Sequence, residues 1–172
     1  MFSIVTIQII GKQQNPVFGR LLVRLLAHPP CRILTAESPV STVRPTAIYL
    51  FSDSCREILQ QQAFSRGAVA IVNAENTGIL RLLQEHGIHT VPCGLSDHDT
   101  FTLASSTEES VVISLQRSLT ALTGDIVDPM EFPVCPELAA SLSRYRLMAL
   151  CAIGCLTGNT QKLISFLRLP PV

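Results

Sequence analysis

Up to Gly94, short apolar runs alternate with segments whose apolar residues recur every three or four positions, and turn-forming residues separate the two kinds. Ser3 to Ile10, rich in Ile, Val and Thr, predicts a strand. Gly11 to Pro16 reads as a turn. Val17 to Ala27 has helical spacing, with Phe18, Leu21, Leu22, Leu25 and Leu26 on one side before His28-Pro29-Pro30 stops it. Arg44-Pro45 leads into a strand from Thr46 to Phe51. Ser52-Asp53-Ser54 caps a predicted helix from Cys55 to about Ser65, which Gly67 ends in a left-handed conformation. A strand at Val69 to Val72 then breaks off into Asn73-Ala74-Glu75-Asn76. A helix from Thr77 to Glu85, stopped by Gly87, and a strand from His89 to Cys93, ended at Gly94, complete the series.

Strand, helix, strand, helix, strand at this spacing predicts a parallel α/β sheet. After Gly94 the period changes. Phe101 to Leu103, Ser110 to Gln116 and Ile126 to Pro133 read as an antiparallel set, with a hairpin turn at Thr123-Gly124-Asp125 and a break at Asp128-Pro129. Glu137 to Leu156 reads as one long helix. Its apolar stripe of Leu138, Leu142, Tyr145, Leu147, Ala149, Ala152, Ile153 and Leu156 must lie on the core. The expected fold is α/β: a mainly parallel sheet flanked by helices, with an antiparallel portion before a long C-terminal helix. The length of 172 residues suits one domain spanning residues 1–172.

Composition sharpens the picture in three ways. Hydrophobic residues make up 47% of the chain and charged ones 15%, which predicts a well-filled core and a surface that a partner, such as a second copy, would cover. Lys plus Arg equals Asp plus Glu at 13 each, so no basic field exists to hold nucleic acid. Six scattered cysteines with no C-x-x-C pair predict reduced, mostly buried thiols in a cytoplasmic protein. No basic region followed by a cleavage signal opens the chain, and the apolar run Leu147 to Leu156 is too short to span a bilayer, so no membrane association is expected.

The abrupt passage from a buried strand into Asn73, Glu75 and Asn76 marks the expected site, because open α/β sheets bind ligands at the carboxyl ends of their strands. These side chains suit a ribose or a base edge; equally, Asn73 and Asn76 can fold back to shape the turn and cap the next helix. Both readings stand. At the first turn, Gly11 and Lys12 bring a backbone N–H and an ammonium toward a phosphate at a helix N-terminus, or form an ordinary turn with a solvated lysine. Asp97-His98-Asp99 reads as a solvated loop, or as a metal or acid–base site. Cys93 is a structural thiol or a reactive one at a strand edge, and His86 can meet a helix C-terminus. Ser105-Ser106-Thr107-Glu108 reads as a polar connection.

Residues 69 to 158 resemble the later half of the central ATP-binding domain of the Mur ligases, which join amino acids to a nucleotide-linked sugar acid. Asn73-Ala74-Glu75-Asn76 resembles that family's Asn-x-Asp-Asp strand end, and Val91-Pro92-Cys93-Gly94 its next strand end. Phe132-Pro133-Val134 and Ala149-Leu150-Cys151-Ala152-Ile153 stand where the family has a turn and an Ala-rich helix. The resemblance implies ATP as cofactor, with a nucleotide or small phosphorylated ligand held by Gly11, Lys12, Asn73, Glu75 and Asn76. The departures are specific. Gln13 stands where the family's phosphate loop has Thr or Ser, Thr6 replaces an earlier glycine, Arg144-Tyr145 replace a His-Asn pair, and Met148 replaces a further Asn. The family's metal-binding acid and acyl-site lysine have no counterpart between Ala27 and Ala68, and its acceptor-binding domains are missing. ATP-driven acyl transfer needs metal, phosphate and acceptor held together. The expected function is therefore a non-catalytic, Mur-ligase-like binding or interaction module, partnered by a ligand, a second copy or another protein. Two alternatives remain: a nucleotide- or phosphate-dependent enzyme completed by a partner chain, and a structural protein without a working cleft.

Overall fold

The computed structural model describes residues 4–11, 15–28, 31–55 and 64–171. In chain order the elements begin with strand β1 (Val5–Ile10), helix α1 (Pro16–Leu25) and strands β2 (Cys31–Ala36), β3 (Ile48–Phe51) and β4 (Val69–Asn73). Helix α2 (Thr77–Glu85) and strands β5 (His89–Gly94), β6 (Phe101–Ser106), β7 (Val111–Leu115), β8 (Leu119–Thr120), β9 (Ile126–Val127) and β10 (Met130–Val134) follow. Helices α3 (Pro136–Ser141), α4 (Arg144–Leu156) and α5 (Thr160–Leu167) close the chain. The class is α/β, with mostly parallel pairing, an antiparallel portion, flanking helices and a long helix near the C-terminus. The chain divides into two compact units, Met1–Gln14 with His28–Pro92, and Asn15–Ala27 with Cys93–Val172.

In the first unit the strands lie in the order β2-β1-β3-β4-β5. The β1–β2, β1–β3 and β3–β4 pairs are parallel, with Ile7 opposite both Ile33 and Ile48, and Ile48 opposite Val69. β3 is buried at all four positions, as a strand covered on both faces must be. Ile79 and Leu83 of α2 reach the core formed by Ile10, Tyr49, Phe51, Ala70 and Val72. Each such fully buried large side chain stabilises the fold by about 1.5–3 kcal/mol. The one buried amide of β1, Gln8, is satisfied. Its Nε2 donates to the Val40 carbonyl (2.7 Å) and Thr46 Oγ1 (2.6 Å), and its Oε1 accepts from Val40 N (3.0 Å). That amide ties the irregular segment before β3 to the sheet. The chain passes from β1 to a strand on one side and later returns to β3 on the other, so the strand order reverses between β1 and β3.

In the second unit, Cys93 and Gly94 at the end of β5 pair parallel with Phe101 and Thr102, while β6–β7 and β7–β10 are antiparallel. A register shift between Leu103 and Ser105 bends β6 as it becomes exposed. Helix α4 buries every residue from Leu147 to Leu156, so it sits inside this unit as an apolar core helix. Gly154 lets α5 approach closely: a Cβ there would meet Leu163 Cδ2 at 2.9 Å and Leu163 Cβ at 3.0 Å.

The expected strands and the helix from Thr77 to Glu85 are present, and four readings need revision. Cys31–Ala36 is a strand that the apolar pattern did not suggest. Ile126 to Pro133 is two strands: β9 pairs with β8 in a separate ribbon around Thr123-Gly124-Asp125, and only β10 joins β7. The span Glu137 to Leu156 breaks at Leu142, whose φ of −127° and ψ of 148° are extended, and Ser143 Oγ then caps α4 by accepting from Arg146 N (3.2 Å). Helix α5 is additional. Most of the helix expected from Cys55 to Ser65 lies outside the described residues. Among the described residues, no helix is long and apolar enough to cross a membrane.

Candidate functional site

Parallel pairing sends the ends of β1, β3 and β4 to one edge of the first unit. A cavity of about 330 Å³ opens at this edge, between the ends of β3 and β4 and the start of α2. Its floor is Phe51 and Val72; Ser52, Asp53, Asn73 and Glu75 are among the residues of its polar wall. The size is near the lower end of small-molecule sites, enough for one compact ligand or one part of a larger one.

The acid-amide turn is built by its own side chains. Asn73 Oδ1 accepts from Glu75 N (3.0 Å) and the Asn73 carbonyl accepts from Asn76 N (2.9 Å), which folds the chain back at the end of β4. Asn76 then caps α2: its Oδ1 accepts from Ile79 N (3.2 Å), while its Nδ2 donates to the Cys55 carbonyl (2.6 Å). The structural reading of the two asparagines therefore holds. Asn73 has a second role, because its Nδ2 lies 3.4 Å from Asp53 Oδ1 and orients that carboxylate at the cavity. Glu75 and Asp53 are exposed on its wall.

Gly11 reaches the same edge by another route. Its φ is +129°, and an added Cβ would fall 1.8 Å from Ser52 Oγ, so only glycine lets the end of β1 pass this closely beside the cavity wall. Its N–H donates to the Ala36 carbonyl (2.9 Å), extending the pairing with β2. The hydrogen is thus directed at the strand, not at a phosphate. Lys12 lies outside the described residues. Gly11, which opens the first turn, and the acid-amide turn share one rim.

The cavity wall carries two carboxylates and no cationic side chain among the described residues. The start of α2 adds roughly half a positive charge to the described wall. The carboxylates and hydroxyls of such a wall can accept hydrogen bonds from hydroxyl or amine groups. Among the described residues, no group of three or more His, Cys, Asp or Glu side chains is placed to hold a metal ion.

The other candidates resolve as structure. Asp99 is buried at 8% exposure and its Oδ2 accepts from Ser96 N (3.0 Å), while Arg117 Nη2 donates to the His98 carbonyl (2.6 Å). Asp97-His98-Asp99 is therefore a pinned turn with one carboxylate folded inward. Cys93 is fully buried, and desolvation, with Asp99 adding to it, pushes its thiol far above the ordinary range, so a nucleophilic thiolate is disfavoured. His86 Nδ1 lies 2.9 Å from the Leu82 carbonyl at the end of α2, as its position suggested. None of the six cysteines is in a disulfide; Cys55, Cys93, Cys151 and Cys155 are buried.

Sequence reasoning named Asn73, Glu75 and Asn76 but missed Asp53 and Ser52 as wall residues. The signal available was the same one used at Asn73, a polar triplet directly after the buried run ending in Phe51. Twenty positions separate Asp53 from Asn73, and only the β3–β4 pairing joins them. No protein-family model matches the chain, and no curated protein matches it in sequence.

Proposed function

We propose that the chain is a non-catalytic, Mur-ligase-like binding module whose cavity takes a nucleoside or nucleotide. The observation that carries this reading is the cavity of about 330 Å³ at the carboxyl ends of β3 and β4, walled by the acid-amide turn. Parallel α/β sheets bind ligands at that edge because the strand ends, not the covered faces, can present polar groups. Among the described residues the cavity wall offers carboxylates, amides and hydroxyls, groups that bind and orient. Reduced thiols suit the cytoplasm, the compartment we assign.

Titration calorimetry with adenosine, AMP, ADP and ATP, each with and without Mg²⁺, tests the reading. Saturable 1:1 binding to at least one of them is expected, weakened by Asn73→Ala, which removes both the turn bond to Glu75 N and the contact to Asp53. Absence of heat and of any thermal-unfolding shift across the series at millimolar ligand would overturn it and leave a structural or assembly role.

A further inference from the structure

We propose that the chain binds a second copy of itself, the acidic hairpin between β6 and β7 of one copy docking on the basic face of α1 and α5 of the next. The zero net charge conceals a segregation. All 13 Asp and Glu residues lie between Glu37 and Glu137, and the stretches on either side hold only Lys and Arg as charged residues. Helices α1 and α5 come from those two stretches and meet in the second unit, where Lys162 Nζ donates to the Leu25 carbonyl (3.1 Å).

Their meeting concentrates positive charge. Arg24 Cζ lies 5.2 Å, and Lys162 Nζ 5.6 Å, from the centroid of the same Phe166 ring. Arg20 stands one turn before Arg24 on the exposed side of α1, a like-charge spacing that weakens a helix on its own. Among the described residues, no carboxylate forms an ion pair with these three cations. The residues beside α1 in the chain that lie outside the described set, Lys12 to Gln14 and Pro29-Pro30, bring no carboxylate side chain. A guanidinium fork beside an ammonium is complementary to carboxylates.

The chain carries that complement itself. Thr107 N donates to the Ser110 carbonyl (2.8 Å) and Ser110 N to Thr107 Oγ1 (3.0 Å), closing a two-residue turn with Glu108 and Glu109 exposed at its tip. No Lys or Arg occurs between Arg81 and Arg117, so the hairpin is acidic throughout. Because the turn is held by its own bonds, presenting both carboxylates costs little further ordering. Three cations around one ring match this tip and are too few to track a nucleic-acid backbone. The contact is heterologous: each copy keeps one hairpin and one helical face in play, so assembly continues past the dimer.

Sedimentation velocity of the full chain provides the test, over about 10 µM to 1 mM, where a small, charge-based contact populates both states. At low salt the average sedimentation coefficient should rise with concentration, and about 0.5 M salt should weaken association at least about tenfold. Glu108→Lys with Glu109→Lys, and separately Arg20→Glu with Arg24→Glu, should each stay monomeric, since each sets like charge against like. Mixed one to one, the two variants should associate again, the unaltered hairpin of one meeting the unaltered helices of the other. All four side chains are exposed, and unchanged thermal midpoints check that the variants fold. A chain that stays monomeric at low salt throughout would overturn the proposal, whatever the variants do. So would association that persists in high salt or in both variants, or folded variants that stay apart on mixing.

Discussion

Asn76 holds the candidate site together from two directions, and the two can be separated. Its Oδ1 accepts from Ile79 N at 3.2 Å, the capping bond of α2, and its Nδ2 donates at 2.6 Å to the carbonyl of Cys55, a residue 4% exposed. Replacing Asn76 by Ala removes both. Loss of the cap costs about 1 kcal/mol, and leaving a partly buried carbonyl without its donor costs about 1–3 kcal/mol. The expected destabilisation of Asn76→Ala is therefore about 2–4 kcal/mol. Asn76→Ser keeps a capping oxygen and loses only the bond to Cys55, so it should fall about 1 kcal/mol short of the alanine variant's loss. Urea unfolding followed by tyrosine fluorescence measures this. The chain has no tryptophan and two tyrosines, of which Tyr49 is buried in the core beside this site. The midpoints should shift with an unchanged slope. An alanine variant within about 0.5 kcal/mol of the parent, a change typical of neutral surface positions, would refute the assignment. Equal losses for Ser and Ala would refute the capping half of it alone.

Two further predictions concern the second unit. Gly154→Ala should destabilise the parent chain by about 0–2 kcal/mol, because overpacking against Leu163 costs about 1–3 kcal/mol and alanine returns about 1 kcal/mol of helix propensity; in a Leu163→Ala background, which removes the Cδ2 contact and keeps the Cβ one, the same change should cost less, and a denaturation cycle with no such coupling rules out the contact as its cause. Burial raises the Cys155 thiol from 9.0 to about 12 and pushes those of Cys93 and Cys151 in the same direction. The folded state then holds protons that the unfolded chain releases, so this stabilisation is complete below pH 9 and declines as pH rises toward the folded values. Each of the three thiols should contribute a loss of about 1.4 kcal/mol per pH unit in that window; urea midpoints at pH 8, 9 and 10 should fall, less steeply in Cys155→Ala, and a flat profile above pH 9 excludes the linkage.

The elements that were legible in the sequence are those whose burial is one-sided or complete along a short stretch. Val69–Asn73 is a run of apolar residues that ends in polar ones, and Thr77–Glu85 places Ile79 and Leu83 on one face between an asparagine cap and a glycine stop. The pattern records which residues avoid water, and for these segments that is sufficient to specify the geometry. Where burial and backbone geometry part company, it fails. Leu142 is buried at 6% exposure, so the apolar rhythm runs unbroken through it even though its backbone is extended; Ser143, a capping residue, was the overlooked sign of the break. Strand β2 alternates weakly because it pairs on one side only, with β1, and Cys31, Ile33 and Leu34 are half-buried.

The candidate site divides along the same line. Local sequence determined the acid-amide turn, since Asn73 and Asn76 fold it through bonds to backbone groups no more than three positions away and the polar residues must emerge where a buried strand ends. Only the tertiary structure decided which other strand end would share the cavity. Asp53 comes beside Asn73 because β3 and β4 pair in parallel, and Gly11 beside Ser52 because β1 flanks β3, relations of strand order that no spacing along the chain encodes. Short-range hydrogen bonding is set by neighbours in sequence, whereas the meeting of distant strand ends is set by which packing of the whole core buries the most apolar surface.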